Sequence, residues 1–182
     1  LLTVLLCTSV SVPADWIDIS DNLGTIVNLR SVHFVDADRG WIVGEGHSIF
    51  LTINGGLTWV PQIEAEPTDA SIVYYGVDAI DASTAWIAGG SGRVGGFMLS
   101  YPPAGGPWVR QGIPSINPAL FAVDFFDANL GAAVGGFDPS FGTLIRTLDG
   151  GATWTPGRGM RATFLPEEMR ELPEMQDPHR IV

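Results

Sequence analysis

Short runs of alternating apolar and polar residues, separated by turn-forming residues, recur along most of the chain. The clearest series begins at Ser31–Val35, turns at Asp36–Arg39, and continues through Gly40–Val43, Ser48–Thr52 and Thr58–Pro61. Runs of this length are typical of β-strands, and the Gly, Asp and Asn residues between them favour tight turns. The pattern therefore predicts a unit of four short antiparallel strands.

This unit occurs three times. The aspartates that open its first turn, Asp36, Asp81 and Asp127, are 45 and then 46 residues apart. The glycines that close the second strand repeat these intervals, and each copy ends on a tryptophan: Gly44, Gly89 and Gly135, followed by Trp59, Trp108 and Trp154. A four-stranded repeat of about 45 residues has the size of one β-propeller blade. We therefore predict an all-β chain of about three four-stranded antiparallel blades, belonging to a larger or oligomer-completed propeller.

The turn before the final strand has its own sequence signature. It reads Thr52–Trp59 in the first unit and Thr147–Trp154 in the third, whereas the second unit keeps only Gly105–Trp108. A side-chain oxygen of Asn or Asp can accept backbone N–H groups in such a turn, glycine tolerates positive φ, and the tryptophan can cover the hairpin. We predict a structural role for eight residues: Thr52, Asn54, Gly56, Trp59, Thr147, Asp149, Gly151 and Trp154.

The turn resembles the Asp-box, or BNR repeat, of sialidases and many other propellers. Together with the preceding V-x-F-x-D and G-W-x-V-G strands, it is most similar to the photosystem II stability and assembly factor family, over roughly residues 27–156. The resemblance implies a ring of about seven blades, with the Asp-box turns on its outer rim, away from the central channel where ligands bind. With three blades, this chain would be a partial member of that family.

The composition narrows the function classes. The chain has 182 residues, of which 46% are hydrophobic and 16% charged, with 23 Gly and 13 Pro. This favours a folded all-β protein rich in turns. The formal charge is −11, and all nine cationic residues are Arg. A nucleic-acid partner is disfavoured, because phosphate binding requires a basic surface.

Three segments are expected. Leu1–Ala14 resembles the hydrophobic part of a secretory signal, with a buried first strand as the alternative. Residues 15–158 would form the blades, and residues 159–182 an acidic tail, with a short helix near Phe164–Leu172 as one possibility. Cys7, the only cysteine, follows Leu6 and not a small residue, which disfavours lipidation. We expect an exported protein: periplasmic, thylakoid-lumen-like or extracellular.

The candidate catalytic motifs are weak. Gly90–Gly95 matches G-x-G-x-x-G, but a strand and a turn follow it, so an inter-strand loop is favoured over a dinucleotide site. The three histidines, His33, His47 and His179, show no metal-ligand spacing, and no nucleophile elbow occurs. The turn aspartates could ring a cation, but their repetition favours backbone capping. We predict no catalytic residue, no cofactor site and no metal site.

Two function classes remain. The first is a non-enzymatic binding and assembly module whose partner is another protein, such as a subunit of a membrane complex, or a further copy of the chain. The alternative is a fragment of a sialidase-like or glycan-binding protein, in which Trp41 and Trp86 would stack on sugars. A sialidase would also need three arginines around a carboxylate and a Tyr–Glu pair, and the sequence does not show that arrangement. Open blade edges predict that the isolated chain self-associates or is only marginally stable.

Overall fold

The computed structural model of the chain describes Leu23 and residues 27–65, 71–91, 95–114, 118–138 and 141–157. The proposed signal at 1–14 and the proposed tail at 159–182 lie outside these residues.

The described chain forms three four-stranded sheets, each an antiparallel meander. The first sheet contains β1 (Leu29–Phe34), β2 (Arg39–Gly44), β3 (Ile49–Ile53) and β4 (Val60–Pro61). The second contains β5 (Val73–Asp81), β6 (Thr84–Ser91), β7 (Gly95–Ser100) and β8 (Val109–Arg110). The third contains β9 (Leu120–Phe125), β10 (Gly131–Asp138), β11 (Phe141–Thr147) and β12 (Thr155–Pro156). The prediction of three four-stranded antiparallel propeller blades is confirmed.

The blades pack face to face through their first two strands. β5 contacts β1 and β2 of the preceding blade, and β9 contacts β5 and β6 in the same way. β2 and β6 are consequently buried on both faces, which explains why they read as continuous apolar runs and not as strict alternations. The chain thus buries its apolar side chains mainly between blades.

In the second strand of a blade, alternate residues point to opposite faces of the sheet and therefore join different core clusters. Between the first two blades, Trp41 and Val43 join a core cluster with Ile87 and Phe97. Between the last two, Trp86 and other residues form a second cluster, whose further members are Ala88, Met98, Leu120, Phe125, Ala133, Ile145 and Trp154. On the other face of the first blade, a third cluster contains Ile42, Phe50 and Trp59, with Leu23 packed against it.

The glycine motif at Gly90–Gly95 lies where two paired strands meet. β6 ends at Ser91, β7 begins at Gly95, and these two residues are partners in the antiparallel ladder. No helix among the described residues is long and apolar enough to span a bilayer.

Candidate functional site

The Asp-box turn of the first blade is closed by a network of side-chain hydrogen bonds. Thr52 Oγ1 donates to Asn54 Oδ1 at 3.0 Å and accepts the N–H of Gly56 at 2.9 Å. Asn54 Oδ1 also accepts the N–H of Thr58 at 2.9 Å. Gly55 and Gly56 have φ values of 67° and 87°, a conformation that favours glycine.

The third blade repeats this geometry. Thr147 Oγ1 donates to Asp149 Oδ1 at 2.8 Å and accepts the N–H of Gly151 at 2.9 Å. Asp149 also accepts the hydroxyl of Thr153 at 2.6 Å. That hydrogen bond is the main reason why the pKa of Asp149 lies below its ordinary value. Trp59 and Trp154, which end the two turns, are both buried. The polar side chains of both turns therefore form hydrogen bonds within their own turn.

The repeated aspartates Asp36, Asp81 and Asp127 bond to the backbone of the turns they begin. Asp36 Oδ1 accepts the N–H of Arg39 at 2.7 Å, and Asp127 Oδ1 accepts the N–H of Leu130 at 2.8 Å. Asp81 Oδ1 accepts the N–H of Ser83 at 2.7 Å. These backbone bonds are the largest cause of the lowered pKa of each aspartate. Among the described residues, no group of three or more His, Cys, Asp or Glu side chains could hold a metal ion.

The lowered carboxyl pKa values predict that the protein loses stability in acid. A native pKa below the ordinary 3.8 means that the folded state favours the charged form. The stabilisation is therefore present above about pH 4 and is lost as pH falls through the native pKa values. We expect the melting temperature to be level between about pH 5 and about pH 7 and to fall below about pH 4. Asp127→Asn keeps an acceptor oxygen without a titrating proton, so its melting temperature should fall less in acid. An unchanged acid profile in this variant would contradict the prediction.

A buried polar cluster joins the first two blades. Glu64 lies on the connection from β4 to β5, and its side chain is 1% exposed. Its Oε1 accepts hydrogen bonds from Nη2 of Arg110 at 3.0 Å and from Nε of the same residue at 3.2 Å. Its Oε2 accepts a hydrogen bond from the Tyr74 hydroxyl at 2.6 Å. His47 Nδ1 lies 3.2 Å from the Tyr74 hydroxyl oxygen and 3.6 Å from Glu64 Oε2. We call these four residues the Glu64 cluster.

Sequence analysis missed the Glu64 cluster. Its members come from the β2–β3 turn, the blade connection, β5 and β8, and Glu64 and Arg110 are 46 residues apart. No spacing rule links these positions, because a contact between blades depends on how two sheets stack. The cluster contains a hydrogen-bonded pair of Tyr74 and Glu64 that the sequence did not reveal. Burial, and then the hydrogen bond to Glu64, raise the pKa of Tyr74, so its hydroxyl stays protonated and acts as a donor.

A second polar link joins the innermost strands of all three blades. Oδ1 of Asp78, a residue of β5, lies 3.3 Å from Nδ1 of His33, a residue of β1. Oδ2 of Asp78 accepts the backbone N–H of Phe125 on β9 at 2.7 Å. Ser31 Oγ accepts the N–H of Val77 at 3.4 Å. His33 thus contacts the neighbouring blade, in keeping with a structural role.

The two ends of the blades differ. At one end, each Asp-box turn is hydrogen-bonded to the turn between the first two strands of its own blade. The N–H of Gly55 donates to the carbonyl oxygen of Asp38, and the N–H of Gly150 donates to that of Asn129. At the other end, Glu45 is paired with the exposed side chain of Arg30 and accepts Asn28 Nδ2 at 3.1 Å. The second end therefore presents charged side chains to solvent.

A cavity of about 520 Å³ opens on the free face of the first blade. Its lining is mostly apolar and includes two Asp-box glycines: Leu29, Arg30, Ser31, Val32, Phe34, Ile42, Gly55, Gly56 and Trp59. Three of these apolar side chains, Leu29, Val32 and Phe34, are exposed by 40%, 58% and 41%. The cavity is thus an accessible apolar site on this face.

Known proteins resemble this chain in sequence and in the arrangement of its blades. The photosystem II assembly lipoprotein Ycf48 of Synechococcus sp. (strain CC9902) is 27% identical over 152 residues, which are 81% of this chain and 43% of the relative. The chain resembles the photosystem II assembly factor Ycf48. No family model matches it.

Solved Ycf48 structures have the same fold. A structure described as YCF48 bound to D1 peptide matches with a TM-score of 0.60 and 21% identity over 74% of this chain and 42% of that one. YCF48 from Cyanidioschyzon merolae matches with a TM-score of 0.54 and 25% identity over 74% of this chain and 38% of that one. The chain thus spans less than half the length of these Ycf48 proteins.

Proposed function

We propose that this chain is part of a protein-binding β-propeller that assists the assembly of a protein complex, as Ycf48 does for photosystem II. The observation that carries the proposal is the similarity to Ycf48 in both sequence and blade arrangement. Fold alone would not transfer a function, but here the sequence match extends over 81% of the chain.

A non-enzymatic role is part of the proposal. The Glu64 cluster holds the groups that most resemble catalytic machinery, but Glu64 and Tyr74 are buried between two blades. A general base or nucleophile must come within hydrogen-bond reach of its substrate. Both oxygens of Glu64 are already bound by protein donors, and the raised pKa of Tyr74 disfavours a nucleophilic phenolate. We assign the cluster to blade packing.

The glycan-binding alternative gains no support from the tryptophans. Trp41 is 0% exposed and Trp86 is 2% exposed, so neither ring offers a face on which a sugar could stack. The remaining tryptophans among the described residues, Trp59, Trp108 and Trp154, are also buried.

We infer that the Asp-box turns are folding elements and that a protein partner binds at the opposite end of the blades. The side chains of the Asp-box turns bond within the turns, whereas Asn28, Arg30 and Glu45 lie at an exposed end with charged groups. Charged groups at an exposed surface can make the binding of a protein partner specific, because the partner must carry complementary charges. A peptide is the partner chemistry that we propose, since a solved Ycf48 is described as bound to D1 peptide.

This proposal can be tested with labelled peptides that cover the D1 sequence, and with scrambled peptides of the same composition. We expect saturable binding of at least one D1 peptide in fluorescence anisotropy. In NMR spectra, the shifted signals should include Asn28, Arg30 and Glu45, and those of the Asp-box turns should stay unchanged. Binding no tighter than that of the scrambled peptides would refute a D1-like partner, and shifts confined to the Asp-box turns would refute the assigned end.

Location and self-association complete the proposal. We propose that the protein acts outside the cytoplasm, on the basis of the apolar Leu1–Ala14 stretch. We also propose that the isolated chain self-associates through its two outer blade faces, because exposed apolar surface of this kind favours association. Exposed Val32 and Phe34 on the first blade and Val134 and Leu144 on the third support this inference.

A further inference from the structure

The third blade holds Trp86 of the second blade in a well-defined socket. The Trp86 ring stacks on Phe125, with a centroid distance of 3.4 Å and an interplanar angle of 4°. Its Nε1 donates to the carbonyl oxygen of Gly150 at 3.0 Å. Phe125 in turn meets Trp154 edge to face at 5.9 Å and 88°. Stacking and one directed hydrogen bond together make this a site for an indole ring.

The first blade carries the same three groups at the same positions. Phe34 ends β1 and Phe125 ends β9, the first strands of their blades. Each is paired with a glycine near the start of the second strand, Gly40 for Phe34 and Gly131 for Phe125. Phe34 meets Trp59 edge to face at 6.0 Å and 79°, close to the geometry in the third blade. Gly55 is the equivalent of Gly150 in the Asp-box turn. The cavity described above lies on these residues, so it is the first blade's version of the socket.

The two sockets differ in what covers them. Phe125, beneath Trp86, is 7% exposed, whereas Phe34 is 41% exposed. Of the described residues outside the strands and turns of the first blade, Leu23 packs against the cluster of Ile42, Phe50 and Trp59. Phe34 therefore offers an open ring face of the kind that Trp86 occupies on Phe125.

The second blade shows which parts of the socket matter. It receives Trp41, but its Asp-box turn is degenerate and Ala79 takes the position of Phe34 and Phe125. Trp41 instead meets Tyr101 edge to face at 6.0 Å, and its buried Nε1 has no hydrogen-bond partner among the described residues. The hydrogen bond to the indole thus accompanies a complete Asp-box turn, which the first blade has.

We propose that the first-blade socket binds a tryptophan side chain presented by the second strand of a further blade of this repeat type. The ring would stack on Phe34, and its Nε1–H would donate to the carbonyl oxygen of Gly55. A second copy of this chain cannot supply that tryptophan, even when copies associate through these faces, because Ala132 stands at the position of Trp41 and Trp86 on the outer face of the third blade. A second copy would present a methyl group where the socket fits an indole.

The Ala132→Trp variant tests the proposal directly, since it supplies the missing ring on the chain's own third blade. We expect this variant to self-associate head to tail at least about tenfold more tightly than the wild type, since a buried aromatic contact is gained. Light scattering across a concentration series measures the change. Ala132→Trp association no tighter than the wild type's, in a variant with a wild-type circular dichroism spectrum, would overturn the proposal.

Two double variants assign the effect to the socket. Adding Phe34→Ala should return association to the wild-type level, because Phe34 is the stacking surface. Adding Phe126→Ala should leave the gain intact, since Phe126 is an 83% exposed ring in the β9–β10 turn of the third blade. If Phe34→Ala and Phe126→Ala have equal effects, the new ring is acting as a general hydrophobic patch and the proposed site is wrong.

A peptide titration of the wild-type chain provides a second measurement that needs no refolded variant. The probe is Gly-Trp-Ile-Val-Gly, the sequence of residues 40–44. We expect NMR shifts at Phe34, Gly55 and Trp59, and weaker binding when the indole nitrogen is methylated or the tryptophan is replaced by alanine. If the alanine peptide binds as tightly as the tryptophan peptide, the socket does not recognise an indole and the proposal is wrong.

Discussion

Replacing Glu64 with alanine is expected to lower the free energy of unfolding by about 3 kcal/mol. The carboxylate is buried between two blades, and it neutralises Arg110 while accepting the Tyr74 hydroxyl. Removing it leaves a buried hydroxyl without its acceptor and a cation without its partner. The cost falls at the low end of the range for buried pairs, because the Arg110 side chain is 30% exposed and can turn towards water.

Urea denaturation of a small series would measure this effect. Glu64→Gln keeps an acceptor for Tyr74 but not the charge. Tyr74→Phe removes the hydroxyl that donates to Glu64 and lies 3.2 Å from His47 Nδ1. Each substitution should cost about 1–2 kcal/mol. Glu45→Ala is the matched control, since it removes an exposed ion pair on the first blade and should change little. A Glu64→Ala variant as stable as Glu45→Ala would show that the cluster does not hold the blades together.

Replacing Trp86 with phenylalanine is expected to cost more stability than replacing Trp41 with phenylalanine. Both tryptophans are buried at the same position of successive blades. Trp86 Nε1 donates to Gly150 O at 3.0 Å, whereas Trp41 Nε1 has no partner among the described residues. Both substitutions lose ring area, but only Trp86→Phe also breaks a hydrogen bond, which adds about 1 kcal/mol. Trp86→Ala should cost about 3–5 kcal/mol in total.

The comparison within this pair carries the test. Equal costs for Trp86→Phe and Trp41→Phe, measured by urea denaturation, would mean that the bond to the Asp-box carbonyl adds nothing to stability. That result would also weaken the indole preference proposed for the first-blade socket, since the preference uses the same hydrogen bond. A larger cost for Trp86→Phe would support both.

The sequence predicted the strands well where they repeat. Ser31–Val35 was expected as a strand, and β1 spans Leu29–Phe34; Gly40–Val43 lies within β2, Arg39–Gly44. In the second unit, the strand expected from Gly76 begins earlier, at Val73, where its first residues pair with the end of β6. Chain order and turn chemistry control these features, so a single unit of sequence contains the information needed to predict them.

Side-chain partners across blades were not predictable in this way. Glu64 reads as an ordinary polar residue in a loop, and Ala132 as a harmless replacement of a repeated tryptophan. Their importance depends on which residues of another sheet face them once the blades stack. Glu64 meets Arg110 from 46 residues away, and Trp86 meets Gly150 from 64 residues away.

Local chemistry in the sequence was therefore enough to define the blade, its four strands and its Asp-box turn, because alternation and turn residues act over a few neighbouring positions. The tertiary structure alone decided the buried Glu64 cluster, the socket around Trp86 and the open socket on Phe34. These sites arise from contacts between blades, and the energies of such contacts depend on burial and on distances between residues that are far apart in the chain.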